Sequence, residues 1–385
     1  MIINNFHGTH TVLYFTVLLV ALSACTQSRY VQFGGYAQGG TWGVKANLAG
    51  VKAKPAVIQK HIEDILYEID TTLSGYNKAS QLSRYNKGEQ VKISPMFQEV
   101  LDAAVRFWEE TDGALDCAAG PLFDIWGFGF KTDSLPCDEL VRQTLAQCGM
   151  ARLICSEKGP DSGTNNKISG ICSENTPDSG TNTDNPPSAT GKKPGRVPQG
   201  EPGPGIARPK ADAIANLNFN AIAQGYSCDK VAEYLYSIGV KDMLVDIGEI
   251  FCDGLNPSGK PWRVGVDKPK DNNNTPGAEM NGIWESNGGP QGVVTSGNYR
   301  KFYIKDGKKY SHTIDPRSGY PVQHNLLSAT IIAPTAMEAD AYATFCMVIG
   351  LEAAKQFIES RPDLEGYLIY GDFESWASPG FRLIN

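Results

Sequence analysis

Between Ser156 and about Lys210 the chain loses the residues that build a core. The stretch is Gly, Pro, Ser, Thr and Asn with almost no aliphatics, and part of it is duplicated: CSEKGPDSGTN begins at Cys155 and CSENTPDSGTN at Cys172. Such a segment buries too little apolar surface to offset the entropy of ordering it. Residues 156–210 are therefore expected to be a disordered polar segment. Two arrangements follow. Either the flanks are separate domains, or one domain carries a long insertion in a surface loop.

On either side, periodicity predicts helices and strands. Pro55–Ser74 carries Ile58, Ile62, Ile65, Leu66 and Ile69 at helical spacing. Ser94–Gly113 reads as a second helix, with Ser94 as N-cap, Pro95 at the first helical position and Gly113 as the stop. After the break, residues 221–239 predict a helix, and DMLVDIG and PWRVGVD predict strands. The run GVVTSGNYRKFYIKDGKKYSHTID reads as strand, turn, strand, with Asp306-Gly307 as a hairpin signal. SATIIAP is a strand, 336–361 is a helix that Gly350 is placed to break, and GYLIYGD is the closing strand. The polar stretch Lys268–Gly292 is expected to hold a loop and a short strand. The fold class is α+β, with mixed sheets covered by helices. No G-x-G-x-x-G opens a helix after a strand and no P-loop pattern occurs, so a dinucleotide-binding Rossmann domain is not supported.

The N-terminus reads as an export signal over residues 1–25. An apolar run from Val12 to Leu22, too short to be a confident spanning helix, leads into Leu22-Ser23-Ala24-Cys25. Small residues before a cysteine resemble a bacterial lipobox, in which Cys25 becomes the lipidated first residue of the mature protein. The first residues carry no Lys or Arg, and a plain secretory signal and an uncleaved anchor are the alternatives. Each places the working part, 36–385, outside the cytoplasm behind a tether at 26–35. Lipid on Cys25 attaches it to the membrane through buried methylenes. A net charge of −7 and a pI near 5.4 weigh against nucleic acid as a partner. Nine cysteines include no C-x-x-C pair and none has a histidine at metal-ligand spacing, so no zinc site is predicted.

Four constellations carry chemistry. Asp340 and Thr344 stand four apart on a helix among alanines, so both point to one face. Two oxygen ligands there suit a hard cation such as Mg²⁺; the bland alternative is an Asp meeting the helix dipole. NFNAIAQGY, Asn218–Tyr226, turns a strand into a helix beside Gly225, where free amides attract phosphate; tight packing explains the same residues. TDGALDCAAGPLFDIWGFGF, Thr111–Phe130, lacks periodicity and reads as a shaped loop whose aromatics either stack on a flat ring or pack on one another. Asp116 and Asp124 are its carboxylates. KKYSHTIDPRSGYPV, Lys308–Val322, sits just after TSGNY and places His312 in a polar, turn-forming cluster, unlike His61 and His324.

In order, GGTWGVK, LSGYNKASQLSRYNKGE, TDGALDCAAGPLFDIWGFG, NAIAQGYSCDKVA, LVDIGEI, TSGNY, HTIDPRSGYPV and ADAYAT resemble the FAD:protein FMN transferase (ApbE) family, from about Gly39 to Ile384. The family pocket uses residues from both sides of the polar segment. The resemblance therefore implies one catalytic domain with an insertion. It also implies Mg²⁺ on Asp340, Thr344 and the carbonyl of Ala221. FAD contacts are implied near Gly39, on the turn Ser74-Gly75-Tyr76-Asn77, and at Asp116, Gln224 and Ile314. His312 is the implied catalytic aid beside the pyrophosphate. Three departures stand out: Gln224 where the family commonly has Lys, Asp116-Cys117-Ala118 for Asp-Pro-Thr, and Ile247-Gly248-Glu249, one Gly short.

The implied reaction moves FMN from FAD to a Thr or Ser hydroxyl of an exported acceptor protein and releases AMP. The alternatives are an Mg²⁺-dependent FAD pyrophosphatase and a non-catalytic FAD-binding lipoprotein.

Overall fold

The computed structural model describes residues 29–128, 135–157, 216–270, 277, 279–299, 302–305 and 308–384. The expected signal, Cys25 and nearly all of the polar segment lie outside the described residues. In chain order the strands are β1 (Tyr30–Ala37), β2 (Gly40–Asn47), β3 (Met243–Asp246), β4 (Ile250–Asp253), β5 (Arg263–Asp267), β6 (Met280–Glu285), β7 (Gln291–Gly297), β8 (Phe302–Lys305), β9 (Lys308–Ser311), β10 (Ile314–Asp315), β11 (Tyr320–Pro321), β12 (Leu326–Ala333), β13 (Glu365–Tyr370), β14 (Glu374–Ala377) and β15 (Leu383–Ile384). The helices are α1 (Pro55–Leu73), α2 (Gln81–Asn86), α3 (Pro95–Glu110), α4 (Gly120–Ile125), α5 (Asp138–Gln147), α6 (Met150–Glu157), α7 (Ala223–Ser237), α8 (Ala336–Ile349) and α9 (Leu351–Ser360).

Eight strands form one sheet in the order β1-β2-β3-β4-β7-β12-β13-β14, each neighbouring pair antiparallel. Period-2 alternation separates its faces. On β12, Ala329, Ile331 and Ala333 join the core beneath the helices. Ile332 points the other way, into a cluster with Trp262, Trp284 and Phe381 under the three-stranded sheet β15-β6-β5. This is the α+β arrangement that the periodicity predicts.

Two of the helices around the site, α3 and α8, begin at sequence-encoded caps. Ser94 Oγ accepts the Phe97 N–H at 3.2 Å at the start of α3. Ile58, Ile62, Leu66, Ile69 and Leu73 line the buried stripe of α1. Each fully buried aliphatic of this kind contributes about 1.5–3 kcal/mol before entropy. On α8, Thr335 Oγ1 accepts the Glu338 N–H at 3.2 Å, and ten of fourteen residues are buried. A helix buried nearly all round belongs at the centre of a core. It stops at Gly350, whose φ of +79° glycine adopts readily, and α9 follows as a separate helix.

Both flanks of the polar segment enter the same core, Met150 and Leu153 from one side and Leu217 and Phe219 from the other. Asn216 bridges to Ala119, and the Asn218 N–H donates to the Cys117 carbonyl at 2.7 Å.

Three expectations are corrected. Residues 30–35 are not tether: they belong to β1, paired along its length with β2. Only Phe33 of that edge strand is fully buried, so its periodicity is faint. The loop expected over 111–130 contains the short helix α4, opened by Pro121 in its first turn. GYLIYGD does not close the chain, because the short, largely exposed β14 and then β15 follow it.

Candidate active site

The first turns of α7 and α8 pack against each other at Gly225. A Cβ there would lie 2.3 Å from the Ala336 carbonyl oxygen, so glycine is what permits the approach. Each helix then places a carboxylate on the other's free amides. Asp340 Oδ2, on α8, accepts the Gly225 N–H at 3.1 Å. Asp229, on α7, accepts the Ala336 and Met337 N–H groups at 2.8 and 2.9 Å. Unpaired amides and the helix dipole both favour negative charge at these ends.

Asp340 is 5% exposed. Burial is the main cause that raises its carboxyl pKa; the Gly225 hydrogen bond opposes this, and the charge of Asp229 adds to it. Burial raises Asp229 likewise. Thr344 follows one turn along α8, with its hydroxyl 3.3 Å from Ser296 Oγ in β7. As the third residue of α7, Gly225 has no carbonyl partner within its own helix, and its amide is directed to Asp340. Asp340, Thr344 and the Ala221 carbonyl are hard oxygen donors, and a buried carboxylate favours a cation beside it, so the set fits Mg²⁺. Among the described residues there is no metal-competent group of three or more His, Cys, Asp or Glu. The oxygen set relies on a single carboxylate.

Asp116 stands close by. Its Oδ1 accepts the Ala118 N–H at 2.7 Å and its Oδ2 the Met150 N–H at 2.9 Å. Part of the residue reaches solvent, but the protein packed around the carboxyl pushes its pKa up to about 6, against the pull of those amides. Cys117 is buried, and burial raises its thiol pKa, with both Asp116 and Asp340 adding to the effect. That sulfur therefore lies within electrostatic reach of both carboxylates. Gln224 donates from Nε2 to the Ile247 carbonyl at 3.3 Å and lies against Gly248. Thus two of the three departures, Gln224 and the shortened Ile247-Gly248-Glu249, touch each other.

Gly39, with φ +82°, completes the two-residue turn between β1 and β2. Its neighbour Gln38 donates to Ser227 Oγ at 2.6 Å, which ties the turn to α7. The turn after α1 is held by its own polar groups. Ser74 Oγ accepts the Asn77 N–H at 3.1 Å, Ser83 Oγ donates to the Gly75 carbonyl at 3.3 Å, and Asn77 Nδ2 donates to Asp70 at 2.7 Å. Tyr76 is 65% exposed between them. Asp70 also lines a cleft of about 540 Å³ with Tyr36, Gln38, Trp42 and Tyr67. The cleft lies between the β1–β2 hairpin and α1.

His312 follows β9, between the buried Ser311 and Thr313, with its ring centre 6.4 Å from that of Phe128 in a T-shaped contact. Ile314 is buried in a satellite cluster with Trp126 and pairs with Pro321. Trp126 stacks on Tyr310 and donates from Nε1 to the Gly319 carbonyl at 2.8 Å. The aromatics of 111–130 thus include packing residues. β10 rests on α8, so this outer wall adjoins the inner one. His61 packs on Tyr234, and His324 shares a hydrogen bond of 2.9 Å with the Met347 carbonyl.

The structure sets the start of α7, where Gln224 and Gly225 stand, against Asp340 on α8, with Thr344 one turn further along α8 and the Gly39 turn linked to α7 through Gln38. Asp229 and Ser227 escape a reading of the sequence: on α7 they look like ordinary polar residues of an amphipathic helix. The one available signal is that Asp229 stands four residues after Gly225, as Asp340 stands four after Ala336.

The ApbE family model matches residues 38–368. The chain belongs to the ApbE family. An FAD:protein FMN transferase of Escherichia coli K12 is 31% identical over 348 residues, 88% of this chain and 85% of its own length. One from Haemophilus influenzae is 30% identical over 361 residues, 91% of this chain and 90% of its own. Among solved structures, the flavin transferase ApbE of Vibrio cholerae has a TM-score of 0.68 at 28% identity, over 91% of this chain and 98% of its own. The flavinyl transferase ApbE of Pseudomonas stutzeri, in its apo form, gives 0.68 at 28%, over 92% and 96%. In this ApbE-family chain, the matched span contains every candidate site residue from Gly39 to Thr344.

Proposed function

We propose that this ApbE-family chain moves FMN from FAD onto a Thr or Ser hydroxyl of an exported acceptor protein and releases AMP, with Mg²⁺ held by Asp340, Thr344 and the Ala221 carbonyl. It is an FAD:protein FMN transferase, working outside the cytoplasm and attached to the membrane by lipid on Cys25. The observation that carries the reading is the Gly225–Asp340 hydrogen bond, 3.1 Å long, which joins a helix N-terminus to a buried carboxylate one turn from Thr344.

Asp340, Thr344 and the Ala221 carbonyl would hold Mg²⁺, which would supply charge neutralisation on the pyrophosphate. The protein's part is positioning. The Gly225 amide at the start of α7 holds the Asp340 carboxylate, and the Gly39 and Ser74–Asn77 turns hold the flavin side of FAD. The acceptor hydroxyl oxygen forms a bond to the FMN phosphorus. The bond from that phosphorus to the bridging oxygen breaks, and AMP leaves with the electron pair. His312 takes the hydroxyl proton, as a histidine can near neutral pH.

The test is intact-mass analysis. The full chain is incubated with FAD, Mg²⁺ and an exported acceptor carrying an Asp-Gly-x-Ser/Thr-x-Ala-Thr segment. The acceptor should gain the mass of FMN less water, only when Mg²⁺ is present, and Asp340→Ala should abolish the gain. FAD split to FMN and AMP with the acceptor unmodified, under conditions where another flavin transferase modifies it, makes the chain a hydrolase. Intact FAD makes it a flavin carrier.

A further inference from the structure

We propose that Asp229 is a positioning residue: it sets the register of α8 against α7 and so holds Asp340 and Thr344 opposite the Ala221 carbonyl. The inference rests on the Mg²⁺ reading above.

The geometry is a double clasp. One link runs from Gly225 on α7 to Asp340 on α8. The other runs from Asp229 on α7 to Ala336 and Met337 on α8. The carboxylates stand four residues after the amides on each helix, so the links are one helical turn apart. A single link leaves two packed helices free to pivot about it. Two links a turn apart fix both slide and rotation. Asp229 uses both carboxylate oxygens, one on each of two successive amides, a demand that a single-oxygen cap such as Ser cannot meet. Its neighbour Lys230 is directed to Glu99 and Glu233.

The grip on α8 is reinforced from β7. A Cβ on Gly292 would lie 2.3 Å from the Thr335 carbonyl oxygen, and Ser296 of the same strand meets Thr344. Thr335 also caps α8, but through the Glu338 amide of its own helix. Thr335 therefore stabilises α8 without tying it to α7, which makes it the control.

The experiment uses the full chain with Mn²⁺ alone as the probe, reading free Mn²⁺ by electron paramagnetic resonance and stability by thermal melting. Asp229→Asn keeps the side-chain volume but leaves one acceptor oxygen for two amides. Its Mn²⁺ Kd should rise about tenfold or more, the usual cost of losing a partner that orients metal ligands. Thr335→Ala should lower Tm while Kd stays within about twofold, since it leaves that orientation intact. If Asp229→Asn folds poorly, Asp229→Glu keeps charge and both oxygens on a longer arm; it should weaken Mn²⁺ binding while melting near the parent. Unchanged Kd in the folded Asp229 variant, or equal losses of Kd and Tm in Asp229→Asn and Thr335→Ala, overturns the proposal and leaves Asp229 a plain helix cap. Asp340→Ala binding Mn²⁺ as tightly as the parent overturns the Mg²⁺ reading instead.

Discussion

The α7–α8 side of the site and the β9–β11 side place their polar groups by different means. On the inner side, Asp340 and Asp229 are held by backbone amides at 2.8–3.1 Å, in a crossing that only Gly225 allows. On the outer side, His312 follows a short strand, and its surroundings are fixed by the stack of Trp126 on Tyr310 and by the buried Ile314. Inner groups are part of the core. To move one is to disturb a helix end and to leave a buried amide without a partner. The outer histidine is carried by a satellite cluster, so its chemistry can change with little cost to the core.

That contrast makes His312→Asn the outer-wall variant with the largest expected functional effect. Turnover should fall about 100-fold or more, the usual contribution of a positioned general base. Tm and FAD affinity should stay close to those of the parent. Stopped-flow turnover, with FAD affinity measured separately, decides it. If FAD affinity falls as far as turnover, His312 binds rather than transfers a proton, and the two walls differ less than their packing implies.

Gly225→Ala strikes the inner wall instead. The added Cβ meets the Ala336 carbonyl oxygen at 2.3 Å and backbone carbon at 2.6 Å, so the helices must separate. Overpacking of this kind costs about 3 kcal/mol, readable as a lower urea midpoint. A variant as stable as the parent would mean that α7 and α8 part easily, and the clasp would then position nothing.

The inner wall was partly legible in the sequence and the outer wall less so, for physical reasons. Asp340 and Thr344 share a helix face by spacing alone, and Gly225 marks a close approach, so both could be singled out. That Asp340 pairs with the amide of Gly225, 115 positions away, is set by the crossing of two helices, which no local pattern records. Asp229 is invisible for the same reason. The helices with a strong stripe or a side-chain cap, α1 by its stripe and α3 and α8 by their caps, appear close to where the sequence puts them. β1 was hidden because an edge strand with one fully buried side chain has almost no alternation to read. α4 was hidden because six residues that open on Gly-Pro are too few to show a helical period.

Asp116, bonded to the Ala118 and Met150 amides, tests where the boundary falls. Burial pushes its pKa up to about 6, above the ordinary aspartate value of about 3.9, and the Met150, Ala118 and Ala119 amides oppose the shift. A carboxyl with a raised folded pKa holds a proton between about pH 4 and 6 that the unfolded chain has already released. Over that window the folded state binds more protons, so stability falls as pH rises. The penalty is absent below about pH 4 and complete above about pH 6. Asp116→Asn has no such titration, while Asp229 and Asp340, raised in the same direction, remain in both proteins and cancel in the difference. The stability of the parent minus that of Asp116→Asn should therefore drop by about 2 kcal/mol from pH 4 to 7, discounted for the part of the residue that reaches solvent. Urea titrations of both proteins at a series of pH values measure it. A drop would place Asp116 with the inner wall, where enclosure by the core dominates. A difference that rises with pH would mean that the three amides outweigh burial, and Asp116 would then be a well-solvated cap for α6, closer in kind to the outer wall.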